Sequence, residues 1–143
     1  MAVINPYLVF NGNCEQAFNF YKSVFGEEFS YLGRIKEAPS ETPISEEEGE
    51  KIMHVTLPIG KGAVLMGSDT SEAHGLVSFG TNFSISINAD SKEEATALFN
   101  GLSADGVITM PLTDTFWGAY FGMFVDKFGI QWMVNYDTPH TTE

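Results

Sequence analysis

The strongest constraint on this chain is an order of elements that occurs twice: one strand, one amphipathic helix, then three more strands. From Ile4 to Phe10 (INPYLVF) β-branched and aromatic residues run into the turn formers Asn11, Gly12 and Asn13. The period then changes. Cys14, Ala17, Phe18, Tyr21 and Phe25 share one face of a helix expected over 14–25, with Asn13 and Gln16 as an N-cap pair and Gly26 as the left-handed residue at its end. Strands are expected at Glu28–Ile35, Ile52–Ile59 and Ala63–Met66, the last two joined as a hairpin through Gly60 and Gly62. Between them, Lys36–Lys51 carries Glu37, Glu41, Glu46, Glu47, Glu48 and Glu50 with Pro39 and Pro43, and reads as a solvated, mobile, solubilising loop.

The second block begins at Asn82–Ala89 (NFSISINA), which alternates like a strand. Ser91 and Glu94 form a capping box, and Ala95, Leu98, Phe99 and Leu102 give the apolar stripe of a helix ending near Gly106. Strands follow at Val107–Leu112, Tyr120–Val125 and Ile130–Tyr136, separated by turn formers around Gly118 and over Asp126–Gly129. A Gly- and Ser-rich link, Ser68–Thr81, joins the halves, and the tail from Asp137 is polar and expected to fray.

A helix covers one face of a four-stranded sheet, so the opposite face of each half must be buried by the other half, a second subunit or a ligand, and a concave cleft is expected. The segments PYLVFNGN, AFNFYKSVFG and FWGAYFGMFVDKFGIQWMVN, set in two βαβββ modules, resemble the vicinal-oxygen-chelate superfamily of glyoxalase I, bleomycin-resistance proteins and extradiol dioxygenases. The likeness is greatest to the PhnB-like branch and spans about residues 4–136. It implies an α+β fold in which two βαβββ modules form a glyoxalase-like concave sheet cleft. A single domain over 1–143 is expected, with module one at about 1–72 and module two at about 80–137. The resemblance also implies a homodimer, because many relatives complete the cleft between subunits.

Enzymes of this superfamily hold a divalent metal with four inward ligands of His, Glu or Gln type, one on the first and one on the last strand of each module. On the resemblance these positions fall, within one residue, on Pro6, Met66, Asn82 and Met133. Proline has no donor atom, a thioether is soft and weak towards Zn²⁺, Mn²⁺ or Mg²⁺, and an asparagine amide supplies one neutral oxygen. No metal and no other cofactor is therefore expected. A substitute set of His54, Asp69 and Asp126 has no HxH, HxxxH or HExxH spacing behind it.

His54 is the one histidine inside a predicted strand and is the weak catalytic candidate, a general base near the cleft. A strand histidine between Met53 and Val55 is more often simply hydrogen-bonded. His74 falls in the link and His140 in the tail. Cys14 sits in the first helical turn, where the helix dipole favours a thiolate, yet it also fits the apolar stripe, and packing is the commoner role. Strand alternation puts Asn82, Ser84 and Ser86 on one face, fit to orient a polar ligand. Phe116, Trp117, Tyr120, Phe121, Phe124, Phe128 and Trp132 crowd a short stretch in which Phe121, Met123 and Val125 alternate with Tyr120, Gly122 and Phe124. Most of these are expected in the core or an interface; one face, with Phe10, Met66 and Met133, would line a soft apolar cavity. The expected ligand-binding cleft is thus Phe10, His54, Met66, Asn82, Ser84, Trp117, Phe121 and Met133.

Charge narrows the partners. A formal net charge of −12 argues against nucleic acid and anionic membrane surfaces. Arg34 is the sole arginine, so a bidentate phosphate clamp is hard to assemble. No apolar run reaches the roughly 20 residues of a spanning helix, and the start MAVINPYLVF lacks a signal-peptide pattern. With one cysteine, a cytoplasmic setting is expected. The leading expectation is a metal-free binder of a small apolar or aromatic molecule. The alternatives are a lyase or dioxygenase with a displaced ligand set including His54, and a partner protein whose cleft is closed by Trp117, Trp132 and the methionines.

Overall fold

The computed structural model describes residues 2–39 and 42–138, so Glu41 and His140 lie outside the described residues. The chain forms two compact units, Met1–Ser78 and Phe79–Glu143. The order in the first is β1 (Tyr7–Phe10), α1 (Cys14–Phe25), β2 (Tyr31–Arg34), α2 (Glu46–Glu50), β3 (Ile52–Gly60) and β4 (Ala63–Asp69). The second holds β5 (Ile85–Asn88), α3 (Lys92–Ser103), β6 (Val107–Asp114), β7 (Ala119–Val125) and β8 (Gln131–Asp137). Each unit is a four-stranded mixed sheet, ordered β1-β4-β3-β2 and β5-β8-β7-β6, with a parallel first pair and two antiparallel ones. The α+β class and the twofold βαβββ order expected from the sequence are what the chain adopts. No helix among the described residues is long and apolar enough to cross a membrane.

In the first unit α1 presents Cys14, Ala17, Phe18 and Tyr21 to one face of the sheet, where Leu8, Phe10, Ile52, Val55, Leu57 and Leu65 are buried. Full burial of a large apolar side chain contributes about 1.5–3 kcal/mol, so this stripe is what fixes the helix to the sheet. Phe18 meets Phe10 edge-on at 6.2 Å and Tyr21 at 5.5 Å. The close approach depends on Gly67, because a Cβ there would stand 2.6 Å from a Phe18 ring carbon and 2.9 Å from the Leu8 carbonyl oxygen. In the second unit α3 buries Ala95, Phe99 and Leu102 against Phe124, Trp132 and Val134. Phe99 lies edge-on to Phe124 at 5.1 Å.

Each unit contains one buried carboxylate that ties several segments together. Asp69, 8% exposed at the end of β4, accepts from the backbone N–H of Gly12 (3.1 Å) and Cys14 (2.9 Å) through Oδ1, and from Ile52 (2.9 Å) through Oδ2. It thereby caps α1 from across the sheet. Asn13 occupies the N-cap position but makes no side-chain cap bond, contrary to the local Asn13–Gln16 pairing expected from the sequence. A free-standing cap yields here to a buried acid with three donors around it. Asp126, 3% exposed, accepts from Phe128 (2.8 Å) and Ile130 (3.1 Å) and from the Trp132 indole (2.8 Å), closing the β7–β8 turn. At α3 the Ser91 hydroxyl accepts from Glu94 N–H as expected, while the Glu94 carboxylate reaches back to Asp90 N–H.

Several boundaries differ from the sequence expectation: β2 covers only Tyr31–Arg34 of the expected Glu28–Ile35, β6 runs on to Asp114, α3 stops at Ser103, and four further differences have a local reason. β1 starts at Tyr7 because Pro6 has no N–H to give the ladder; its carbonyl instead accepts from Met66 N–H at 3.0 Å. β4 continues past Met66 to Asp69 because it pairs in parallel with all of β1. β5 is confined to Ile85–Asn88, and the segment before it is held by Gln131 Nε2, which donates to the Gly80 and Phe83 carbonyls. The stretch 36–51 is not one solvated loop. Ser45 caps Glu48 N–H to start α2, and Arg34 donates to both Glu15 carboxylate oxygens (3.1 and 2.6 Å) and to the Glu50 carbonyl (2.8 Å). The Ser45-x-x-Glu48 box was legible but hidden among acidic residues.

Two outcomes follow. Asp69→Ala leaves three N–H groups without their acceptor and is expected to cost about 3 kcal/mol in urea unfolding. The hydrogen bond from Arg34, then its charge, holds the Glu15 carboxyl below its usual 4.5. A depressed folded value means stability present above the unfolded value and lost as pH falls through the folded one. Because Glu15 is half exposed, Glu15→Gln should cost no more than about 1 kcal/mol at pH 7. The gap between variant and parent should close as pH is lowered from 5 towards 3, measured by denaturant melts.

Candidate functional site

With one face of each sheet under its helix, the chemistry within a unit falls on the opposite face. In the first unit strand register builds a row across that face. Tyr7 pairs with Met66, Met66 with Thr56, and Thr56 with Tyr31. His54, opposite Gly33, rises beside this row. Its Nδ1 is 3.3 Å from the Tyr7 hydroxyl and its Nε2 2.9 Å from Thr56 Oγ1. The Tyr7 and Tyr31 rings flank it at 5.6 and 5.8 Å with interplanar angles of 31° and 41°. Tyr31 lies down across Gly33, since a Cβ there would stand 2.5 Å from the Tyr31 hydroxyl. The three rings thus make a nearly continuous aromatic floor with hydroxyls at its seams. Tyr7 and Tyr31 remain 46% and 49% exposed, which leaves their faces open to a planar molecule.

In the second unit the face away from α3 carries two rows. One runs Ser86, Met133, Met123, Met110; the other runs Asn88, Asn135, Phe121, Thr113. Asn135 Nδ2 donates to Asn88 Oδ1 (3.2 Å) and Asp137 Oδ1 (3.1 Å). Trp117, in the β6–β7 turn, stands 6.2 Å from Phe121 and 5.0 Å edge-on from Phe116.

Of the candidate cleft residues, His54 and Met66 lie together on the first open face, and Phe121 and Met133 together on the second. Trp117 adjoins Phe121. Phe10 does not belong with them: it is fully buried beneath α1 against Phe18, because Leu8 and Phe10 share the helix-facing side of β1. Asn82 and Ser84 precede β5, so strand alternation does not govern them, and the residue that faces Met133 across the parallel pair is Ser86. On the other side Met66 faces Tyr7, one residue after Pro6. Cys14 is fully buried, and desolvation, then the Asp69 and Glu15 charges, push its thiol far up, which disfavours the thiolate. His74 bonds Ser71 Oγ through Nδ1 at 2.6 Å in an exposed turn. The substitute metal set has no free acid: Asp69 and Asp126 each spend both carboxylate oxygens on protein donors. Among the described residues no three His, Cys, Asp or Glu side chains gather as a metal-holding group. Sequence reasoning missed Tyr7, Tyr31 and Thr56, although period-two alternation around His54 pointed to Thr56.

This architecture defines a class. Glyoxalase, bleomycin-resistance and dioxygenase proteins that are less than 25% identical share its fold. The family model described as 3-demethylubiquinone-9 3-methyltransferase matches residues 2–135. The chain belongs to that family, whose solved members include PhnB proteins. It is 40% identical to protein PA1353 from Pseudomonas aeruginosa, with 97% of this chain and 100% of that one covered and a TM-score of 0.80. It is 33% identical over 140 residues to the protein YjdN of Escherichia coli K12, covering 92% of this chain and 93% of that protein. A PhnB protein from Bacillus cereus is 28% identical, with 94% and 99% covered and a TM-score of 0.74.

The flat floor makes a local prediction. Gly33→Ala should displace only the far end of the Tyr31 side chain, keeping stability within about 1 kcal/mol while shifting the His54 ring-proton NMR signals as the Tyr31 ring current leaves. Gly67→Ala, pressed against Phe18 and backbone, should instead cost about 1–3 kcal/mol by overpacking.

Proposed function

We propose that this chain binds a small, flat, apolar or aromatic molecule on its open sheet faces without a catalytic divalent metal, and that it does so as a homodimer in the cytoplasm. The observation that carries this reading is the chemistry of the paired positions where the superfamily keeps its ligands. On the resemblance these are Pro6, Met66, Asn82 and Met133, and the structure pairs Met66 with Tyr7 and Met133 with Ser86, so the groups met there are an amide, a phenol, an alcohol and two thioethers. Such a set does not fit Zn²⁺, Mn²⁺ or Mg²⁺, which take imidazole and carboxylate donors. The open faces therefore act by contact and hydrogen bonding, with no step routed through such an ion.

The surroundings support a neutral planar ligand. Stacking on Tyr7 and Tyr31 supplies apolar contact at fixed geometry, and the Tyr7 and Thr56 hydroxyls, each with bonding capacity beyond its contact with His54, supply hydrogen-bond partners for one polar edge. The lyase or dioxygenase alternative needs acids beside His54, and Asp69 and Asp126 are engaged elsewhere.

A neutral bicyclic aromatic such as 2-naphthol tests the reading. It should raise the melting temperature and quench tyrosine emission saturably, and Tyr31→Ala should weaken its binding by about 1 kcal/mol or more, the scale of an aromatic pair. Absence of saturable binding in the parent protein would overturn the assignment.

A further inference from the structure

The donor set that rejects hard divalent ions has a different preference, and the second unit concentrates it. Met110, Met123 and Met133 are consecutive partners across β6, β7 and β8. Met123 and Met133 stand on the face away from α3, since their strand neighbours Phe124, Trp132 and Val134 are the residues buried against that helix, and Met110 is paired opposite Met123. Met110 owes its place to two irregularities in β6, one on each side of it. Ile108 pairs with Phe124, Met110 with Met123 and Thr113 with Phe121, so extra residues flank Met110 and turn it opposite Met123. All three methionines are half-buried.

We propose that this row is a binding site for a soft monovalent cation, Cu(I) in class, held by three thioether sulfurs. Neighbouring strands lie about 4.8 Å apart, so the outer two methionines sit about 10 Å apart astride the third. The flexible, polarisable thioether arm lets sulfurs converge above Met123. Thioethers select Cu(I) over Zn²⁺, Mg²⁺ or Mn²⁺. The positions flanking Met123 and Met133 along their strands on this face are Phe121, Val125, Gln131 and Asn135, and Ser86 stands opposite Met133; none of these is charged, so none of them recruits a hard ion. Gln131 is committed to the Gly80 and Phe83 carbonyls and Asn135 to Asn88 and Asp137. The site goes beyond the ligand reading and does not rest on it.

Ag(I), a redox-inert stand-in, tests the site in the intact chain in chloride-free buffer by native mass spectrometry and thermal melting, with Cu(I) competed against a chromogenic chelator under anaerobic conditions. One equivalent of Ag(I) should bind and raise the melting temperature. Even outer-shell losses cost about tenfold in metal affinity, so Met123→Leu should weaken Ag(I) by about tenfold at the least. Cys14→Ala, which removes the one thiol, fully buried under α1, should leave it unchanged. No bound ion, or binding lost with Cys14→Ala but kept in Met123→Leu, would overturn the proposal. Binding of 2-naphthol by the same protein reports separately on the ligand reading.

Discussion

Three backbone N–H groups from two segments converge on the carboxylate of Asp69, and the geometry of the first unit depends on that convergence. An acid buried without partners would be expelled or neutralised. Here the N–H groups at the head of α1 and at the start of β3 supply three hydrogen bonds, and the acid supplies the negative end that a helix N-terminus favours. Helix, central strands and parallel edge are thereby locked in one register. That register decides that Met66, Thr56 and Tyr31 line up behind Tyr7. The second unit solves the same problem with Asp126, which fixes the β7–β8 turn and the Trp132 indole, and so the pairing of Met123 with Met133.

The proposed binding rests on the faces that the helices leave open, away from these anchors. The buried side of each sheet is governed by packing, Phe18 over Gly67 and Phe99 over Phe124, and the two carboxylates buried in the structure, Asp69 and Asp126, are there fully hydrogen-bonded. On the other side the residues that register brings together are phenols, thioethers, an imidazole and amides. Aromatic planes lie on this face in the first unit and a row of methionines in the second. The same softness that loses a hard metal makes the second face suitable for a soft one.

Much of this was legible in the sequence. The helices at 14–25 and after Ser91 rest on apolar stripes and caps too regular to misread, and the twofold order of strands follows from them. Met66 and Met133, two of the four positions assigned by resemblance, occupy matched places in the two units, each paired with the parallel first strand. What failed was side-chain direction near strand ends. Phe10 counted as lining because it is large and apolar, yet a four-residue strand gives few alternations from which to choose a face. Asn82 and Ser84 carried a strand pattern, but a long-range Gln131 bond holds the preceding segment apart. Asp69 looked like a candidate ligand because nothing local reveals that three donors from elsewhere in the chain surround it. Tyr7 and Tyr31 stand 47 and 23 positions from His54 in the chain, and only strand pairing unites them.

The central claim is that these faces hold no catalytic divalent ion. Elemental analysis of the purified, untagged protein, paired with melting curves in EDTA and in excess Zn²⁺, Mn²⁺, Ni²⁺ and Mg²⁺, tests it most directly, because an ion bound only to the folded state must stabilise that state by mass action. The account predicts no stoichiometric divalent metal and superimposable curves. One equivalent of such a metal, or a shift of several degrees that EDTA reverses, would contradict it.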